Sequence, residues 1–179
     1  MFLAAYAMRK LAESLKVSTA LLEKPIQVCR VEGIHPGSRD RNTHYFGLHN
    51  THSFARHFDL KRPIHDEMPR RRLINMIIHS IVYIELVSEA ERYEGFYITS
   101  GREQRNGAYL VELSHYTALI RELARDYPSV VQHVFDPKRR EWIAWSGHGD
   151  PPQEIQRLSG PLVEPGQIMG DSGNSTKER

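Results

Sequence analysis

Cysteine is almost missing from this chain of 179 residues: Cys29 is the one example, so no internal disulfide can form and a stapled secreted scaffold is excluded. Long hydrophobic runs are missing too. The most apolar stretch lies between Asp66 and Val87, and it falls short of the ~18 uninterrupted residues of a membrane helix. It is also broken by Asn75, His79, Ser80 and Glu85. Net charge is small, formally +2, so bulk charge selects no partner. No internal repeat, phosphate-cradling glycine loop, dinucleotide fingerprint or nucleophile constellation is present. Gly101 and Gly107 bracket a hairpin loop and lack the strand–helix setting of a phosphate loop. The opening MFLAAYAM is short, and its basic residues Arg9 and Lys10 follow the apolar run, which is not the order of a secretory signal. A cytoplasmic protein with no membrane partner is the expectation.

What is present organises around DEMPRRRLINMIIHSIVYIELV. Asp66, Glu67 and Pro69 suit a helix start, and Leu73, Ile74, Ile77, Ile78 and Ile81 recur at helical spacing. Composition then turns β-branched and aromatic. The segment is read as a buried helix over 67–79 that hands over near His79 to a central strand, with Ile84 and Leu86 also in the core.

A helix is predicted over 3–16, with Ala4, Ala7, Met8, Leu11 and Leu15 on one face, and a second over Thr19–Glu23, capped by Ser18 and stopped by Pro25. PIQVCRV alternates as a strand, with Cys29 as a small core residue. A loop-rich stretch follows over 38–63, with a short helix near Ser53–Phe58. Strands are expected at Gly95–Thr99 and Ala108–Leu113. Ser114 caps a helix carrying Tyr116, Leu119, Ile120, Leu123 and Tyr127 on one face. Val130–Phe135 and Glu141–Ser146 form a hairpin turning through Asp136-Pro137-Lys138-Arg139. The fold class is α+β: an antiparallel β-meander of three strands, extended by the hairpin and covered by helices 67–79 and 114–127. Residues 1–24 form an N-terminal helical lobe and residues 25–146 the α+β domain. Residues 147–179, rich in glycine and proline, form a flexible, disordered tail.

The string RKLAESLKVSTALLEKP, through Leu11, Ala12, Leu15, Val17, Ser18, Leu21 and Leu22, resembles the closing two helices of a Cro/C1-type (XRE) helix-turn-helix domain, over residues 9–24. That resemblance implies DNA binding and transcription regulation. The recognition helix of such a domain would lie upstream of Arg9, where eight residues stand, so the lobe is expected to be a remnant without its reading head.

Three groups are candidates for chemistry. His49, His52 and His57, with His44 and His65 nearby, form H-x2-H-x4-H, which suits zinc, although no cysteine or H-E-x-x-H helix supports it. Arg72 and His79 lie two turns apart and resemble the Arg-x4-6-His pattern of HEPN ribonucleases, in which histidine does acid–base work and arginine holds phosphate. Arg70, Arg71 and Arg72 with Lys61 and Arg62 form a basic cluster suited to phosphate. Residues 26–72 hold nine Lys/Arg against five Asp/Glu. At least one arginine of the triplet must face solvent, and charge reversal at Arg70 and Arg71 is expected to leave folding unaffected. The leading expectation is a non-enzymatic, nucleic-acid-associated protein of transcription-regulator type, whose α+β domain binds a partner or effector. No catalytic residue, metal or cofactor is assigned. The alternatives are a small ribonuclease or metal-dependent hydrolase built on Arg72/His79 or the histidine loop, and a protein-interaction module.

Overall fold

The computed structural model of the chain describes residues 1–34, 52–104 and 107–160. Its elements run α1 (Phe2–Glu13), α2 (Thr19–Glu23), β1 (Pro25–Val31), α3 (Phe54–His57), β2 (Ile64–Pro69), α4 (Arg70–Ile78), β3 (Ser80–Val87), β4 (Tyr93–Ser100), β5 (Ala108–Glu112), α5 (Leu113–Arg125), β6 (Val130–Asp136), β7 (Glu141–Gly147) and α6 (Gln153–Ser159). The class is α+β. Five strands form one antiparallel sheet in the order β2-β1-β5-β4-β3, and β6 and β7 form a separate two-stranded sheet. The meander β3–β4–β5 is therefore extended by β1 and β2, and the hairpin stands apart from it.

One face of the large sheet carries Ile26, Val28, Phe96, Ile98, Tyr109 and Val111, all buried. Against them pack Met8 of α1, Leu73 and Ile77 of α4, and Tyr116, Leu119 and Leu123 of α5 in one continuous core. Strand alternation puts these sheet residues on one side, and the 3.6-residue period brings the helical ones to meet them. The core also takes in Ala5, Val17 and Leu22, so residues 1–24 pack as part of the main body rather than as a lobe of their own. On the opposite face Phe54 and Phe58 cover Val31, Val82 and Ala108.

Several local expectations change. Asp66 and Glu67 do not open a helix. Their backbone pairs with Val28 and Gln27 of β1, and the helix begins only after Pro69. Pro25 and Pro69 lie opposite each other at the end of this ladder, where a missing N–H is tolerated. The handover at His79 is observed, but β3 is an edge strand rather than a central one, so Ile81, Ile84 and Leu86 are half-buried. In α1 the inward residues are Ala5 and Met8, while Ala7 and Leu11 face out. Apolar residues surround its first turns, so the period alone could not choose the face. Glu112, not Ser114, precedes α5, and Tyr127 lies beyond its end, 72% exposed. Cys29 is half-buried on the face away from the main core, 3.7 Å from Nδ1 of His65.

The hairpin has a small core of its own, Val134 and Trp145 under Ile155 of α6. Residues 153–159 are thus helical where a flexible tail is expected, and residues 161–179 lie outside the described ones. The base of the hairpin is fixed to the body. Ser146 Oγ donates to the Val17 carbonyl at 2.7 Å, and the Ser146 N–H donates to Thr19 Oγ1 at 3.2 Å.

Candidate nucleic-acid interface

The arginine triplet fans around the first turn of α4, about 100° per residue, so each guanidinium meets a different element. Arg70 is buried, and its Nη1 lies 2.8 Å from Glu122 Oε2 of α5. Arg71 Nε donates to Glu23 Oε1 of α2 at 2.7 Å. Arg72 Nη2 donates to Glu103 Oε1 at 2.9 Å and to the Tyr109 hydroxyl at 3.2 Å, with its guanidinium 5.7 Å from the Tyr109 ring centre. Three arginines expected at a phosphate edge thus each hold an internal carboxylate. Lys61 and Arg62 lie in the turn before β2, and a six-residue strand of roughly 20 Å separates them from the triplet. Arg62 is paired only loosely, 3.8 Å from Asp59, and is almost fully exposed.

Arg72 and His79 are likewise engaged by different elements. His79 follows the last turn of α4, and its Nε2 lies 3.2 Å from Arg9 Nη1 of α1, a guanidinium nitrogen that can only donate. Of the histidine group, His52 and His57 flank and end α3, while His44 and His49 lie outside the described residues. Among the described residues no group of three His, Cys, Asp or Glu side chains is placed to hold a metal ion. No described helix is long and apolar enough to cross a membrane.

An exposed aromatic surface lies on the hairpin. Its inner face packs on α6, so alternation turns His133 and Phe135 of β6, and Trp142 and Ala144 of β7, to the outside. Phe135 and Trp142 are cross-strand partners with ring centres 5.6 Å apart. Trp142 is 71% exposed and Phe135 44%. Immediately beyond them the turn carries Lys138, Arg139 and Arg140. The buried Asp136 shapes that turn, its Oδ1 accepting from the N–H groups of Lys138 and Arg139. Its other oxygen lies 3.6 Å from Arg139 Nε. Lys138 and Arg140 make no ion pair among the described residues, and both are exposed. Exposed aromatic rings, here inclined at 59° to each other, beside a cationic tip are the combination that stacks on bases and holds phosphates.

The hairpin and its turn are expected from the sequence, but the exposed aromatic pair is not among the residues that the sequence singles out. A signal for it exists: Val131, His133 and Phe135 alternate with Gln132 and Val134, and Trp142 stands across from Phe135. The basic triplet is the more conspicuous feature because its charges are consecutive, although consecutive residues on a helix point in different directions.

Folding lowers the pKa of two carboxylates at the end of α5, Glu122 and Asp126. Glu122 is held below its ordinary range chiefly by the Arg70 guanidinium, with Lys24 adding to it. Burial works to raise the Asp126 carboxyl, but bonds from His148 and from the Ser18 N–H outweigh it and the pKa is lowered. Folding lowers both values, so the stability they contribute is complete above the unfolded carboxylate range of about 3.9–4.3 and is lost as pH falls through the lowered folded values. Asp126→Asn is therefore expected to cost stability at neutral pH. Its difference from wild type should shrink on acidification below about pH 4. Urea midpoints of both proteins across that range check this, and a difference that does not change with pH would contradict it.

Compared with known proteins, the chain matches no family model, no curated protein and no solved structure.

Proposed function

We propose that this protein binds single-stranded nucleic acid without turning it over, with the β6–β7 hairpin as its contact surface. The observation that carries this reading is the exposed Phe135–Trp142 pair set directly beside Lys138 and Arg140. The resemblance of residues 9–24 to the closing two helices of a helix-turn-helix domain supports a place in transcription regulation. The base-contacting surface is put on the hairpin because α2 packs its Leu22 inward and is followed by Pro25. Arg70, Arg71 and Arg72 serve chiefly to brace α4 against α5, α2 and the β4–β5 turn. Lys61 and Arg62 remain available as a secondary phosphate contact.

Fluorescence anisotropy with labelled DNA and RNA oligonucleotides tests the proposal. Binding is expected to weaken steeply with salt, with a log–log slope near −0.7 per phosphate contacted on a single strand. Replacing Lys138 and Arg140 by glutamine is expected to flatten that slope by roughly 0.7 for each phosphate no longer held. Intact oligonucleotide after prolonged incubation separates binding from cleavage. Failure of the wild-type protein to bind either nucleic acid at low salt would end this reading. The exposed Phe2, Leu3 and Tyr6 of α1, with the hairpin aromatics, would then favour a protein partner.

A further inference from the structure

A groove of about 210 Å³ lies between α1, α2 and α4, on a surface separate from the hairpin. Its floor is apolar, made in part by the buried Leu22 and Ile74. Its walls carry Arg9 and Glu13 from α1, and Arg71 and Asn75 from α4. Arg71 and Asn75 are four residues apart and so lie on one stripe of the helix, with His79 one turn further along it. The volume falls below the ~300–1,000 Å³ of drug-sized sites, so the groove suits a small ligand.

The two guanidiniums are positioned but not used up. Arg9 Nε donates to Glu13 Oε1 at 2.7 Å, and Arg9 Nη1 meets His79 Nε2. Arg71 spends Nε on Glu23. Each guanidinium has five N–H donors, so most remain open to a ligand. The Asn75 side chain makes no hydrogen bond among the described residues, and its amide can donate as well. The resting carboxylate partners are half-exposed, and exposed pairs of this kind are held weakly. Glu13 has a second partner in Lys10, whose Nζ donates to Oε2 at 2.8 Å. If an anion draws Arg9 away, Glu13 keeps Lys10 and is not left unpaired.

We infer that this groove is a binding site for a phosphate monoester carrying a small organic group. Three donors approaching from two helices fit a tetrahedral anion better than a planar carboxylate, which one arginine fork would satisfy. A monoester carries about −1.5 to −2 charges near neutral pH, enough to draw on both guanidiniums at once. The apolar floor takes the carbon skeleton.

The test is isothermal titration of the full chain with ribose 5-phosphate, inorganic phosphate, ribose and a 5′-phosphorylated oligonucleotide. Saturable binding of ribose 5-phosphate and none of ribose is expected. Arg9→Gln and Arg71→Gln should each weaken it about tenfold or more, as removal of a charge-assisted bond implies, with the circular dichroism spectrum unchanged. Glu23→Gln, which removes the resting partner of Arg71, should tighten binding. That opposite sign keeps the proposal falsifiable even where an arginine variant folds poorly. Trp142→Ala should leave the affinity for ribose 5-phosphate unaltered, so a failed hairpin and a failed groove are told apart. Binding of the phosphorylated oligonucleotide that is abolished in Arg71→Gln but kept in Trp142→Ala would identify a nucleic-acid end as the source of the same phosphate group. No saturation by any phosphate in the millimolar range, or binding indifferent to Arg9, Arg71 and Glu23, would overturn it.

Discussion

Trp142→Ala is expected to weaken single-stranded DNA or RNA binding by about 5- to 150-fold, since one stacking platform is worth roughly 1–3 kcal/mol. The salt slope should not change, because no charge is removed. This pattern is the mirror of the Lys138 and Arg140 replacements, which should lower the slope while leaving stacking in place. Phe135→Ala is expected to be the milder variant, since that ring is less exposed than its partner. The pair also stabilises the hairpin, by roughly 0.5–1.5 kcal/mol for an aromatic contact of this kind. Amide exchange in β6 and β7 is therefore the necessary companion measurement. Weakened affinity with unchanged exchange protection assigns the effect to recognition rather than to loosening. Unchanged affinity in Trp142→Ala would remove the hairpin as the interface.

Arg70→Glu is expected to lower the melting temperature by roughly 6–20 °C. Only 6% of the Arg70 side chain is exposed, and the new carboxylate would be buried beside Glu122. Leaving an uncompensated charge buried costs about 3–5 kcal/mol, and for a chain of this size 1 kcal/mol moves the midpoint by about 2–4 °C. Arg71→Glu, at a half-exposed pair, should change stability by no more than about 1 kcal/mol. The burial of Arg70 thus replaces the expectation of nearly unaffected folding at that position, while half-exposed Arg71 keeps it. Arg70→Met offers the sharper contrast. The Arg70 Nε is buried and meets no acceptor among the described residues, and Glu122 is half-exposed and stays solvated without its partner, so an apolar side chain of similar length should cost little or even stabilise. A denaturation series showing Arg70→Met as damaging as Arg70→Glu would indicate that the charge itself, rather than the packed stem, holds α4 to α5.

Wherever a segment buries one regular face, the fold could be read from the chain. The helix around Tyr116, Leu119 and Leu123, strand β1, the β6–β7 hairpin and the change from helix to strand at His79 all follow from periodicity and turn chemistry. β2 could not be read this way. IHDEMP has one buried residue, Met68, and its strand character comes from pairing with β1. In α6 only Ile155 is buried, with Leu158 packed partly beside it, and two apolar residues are too few to mark a period.

Determined by the sequence itself were the α+β class and the inward faces of α4 and α5, because apolar spacing is a local property and the hydrophobic effect acts on it directly. Only the tertiary structure decided which strands sit at the sheet edges, which face of the hairpin stays bare, and which carboxylate each arginine meets. Arg71 and Glu23 are 48 residues apart, and Arg72 and Glu103 are 31. A charge shows its chemistry in the sequence, but its availability depends on partners brought from distant segments. For that reason Arg70, one of three conspicuous arginines, lies buried against α5 while a less conspicuous tryptophan faces solvent.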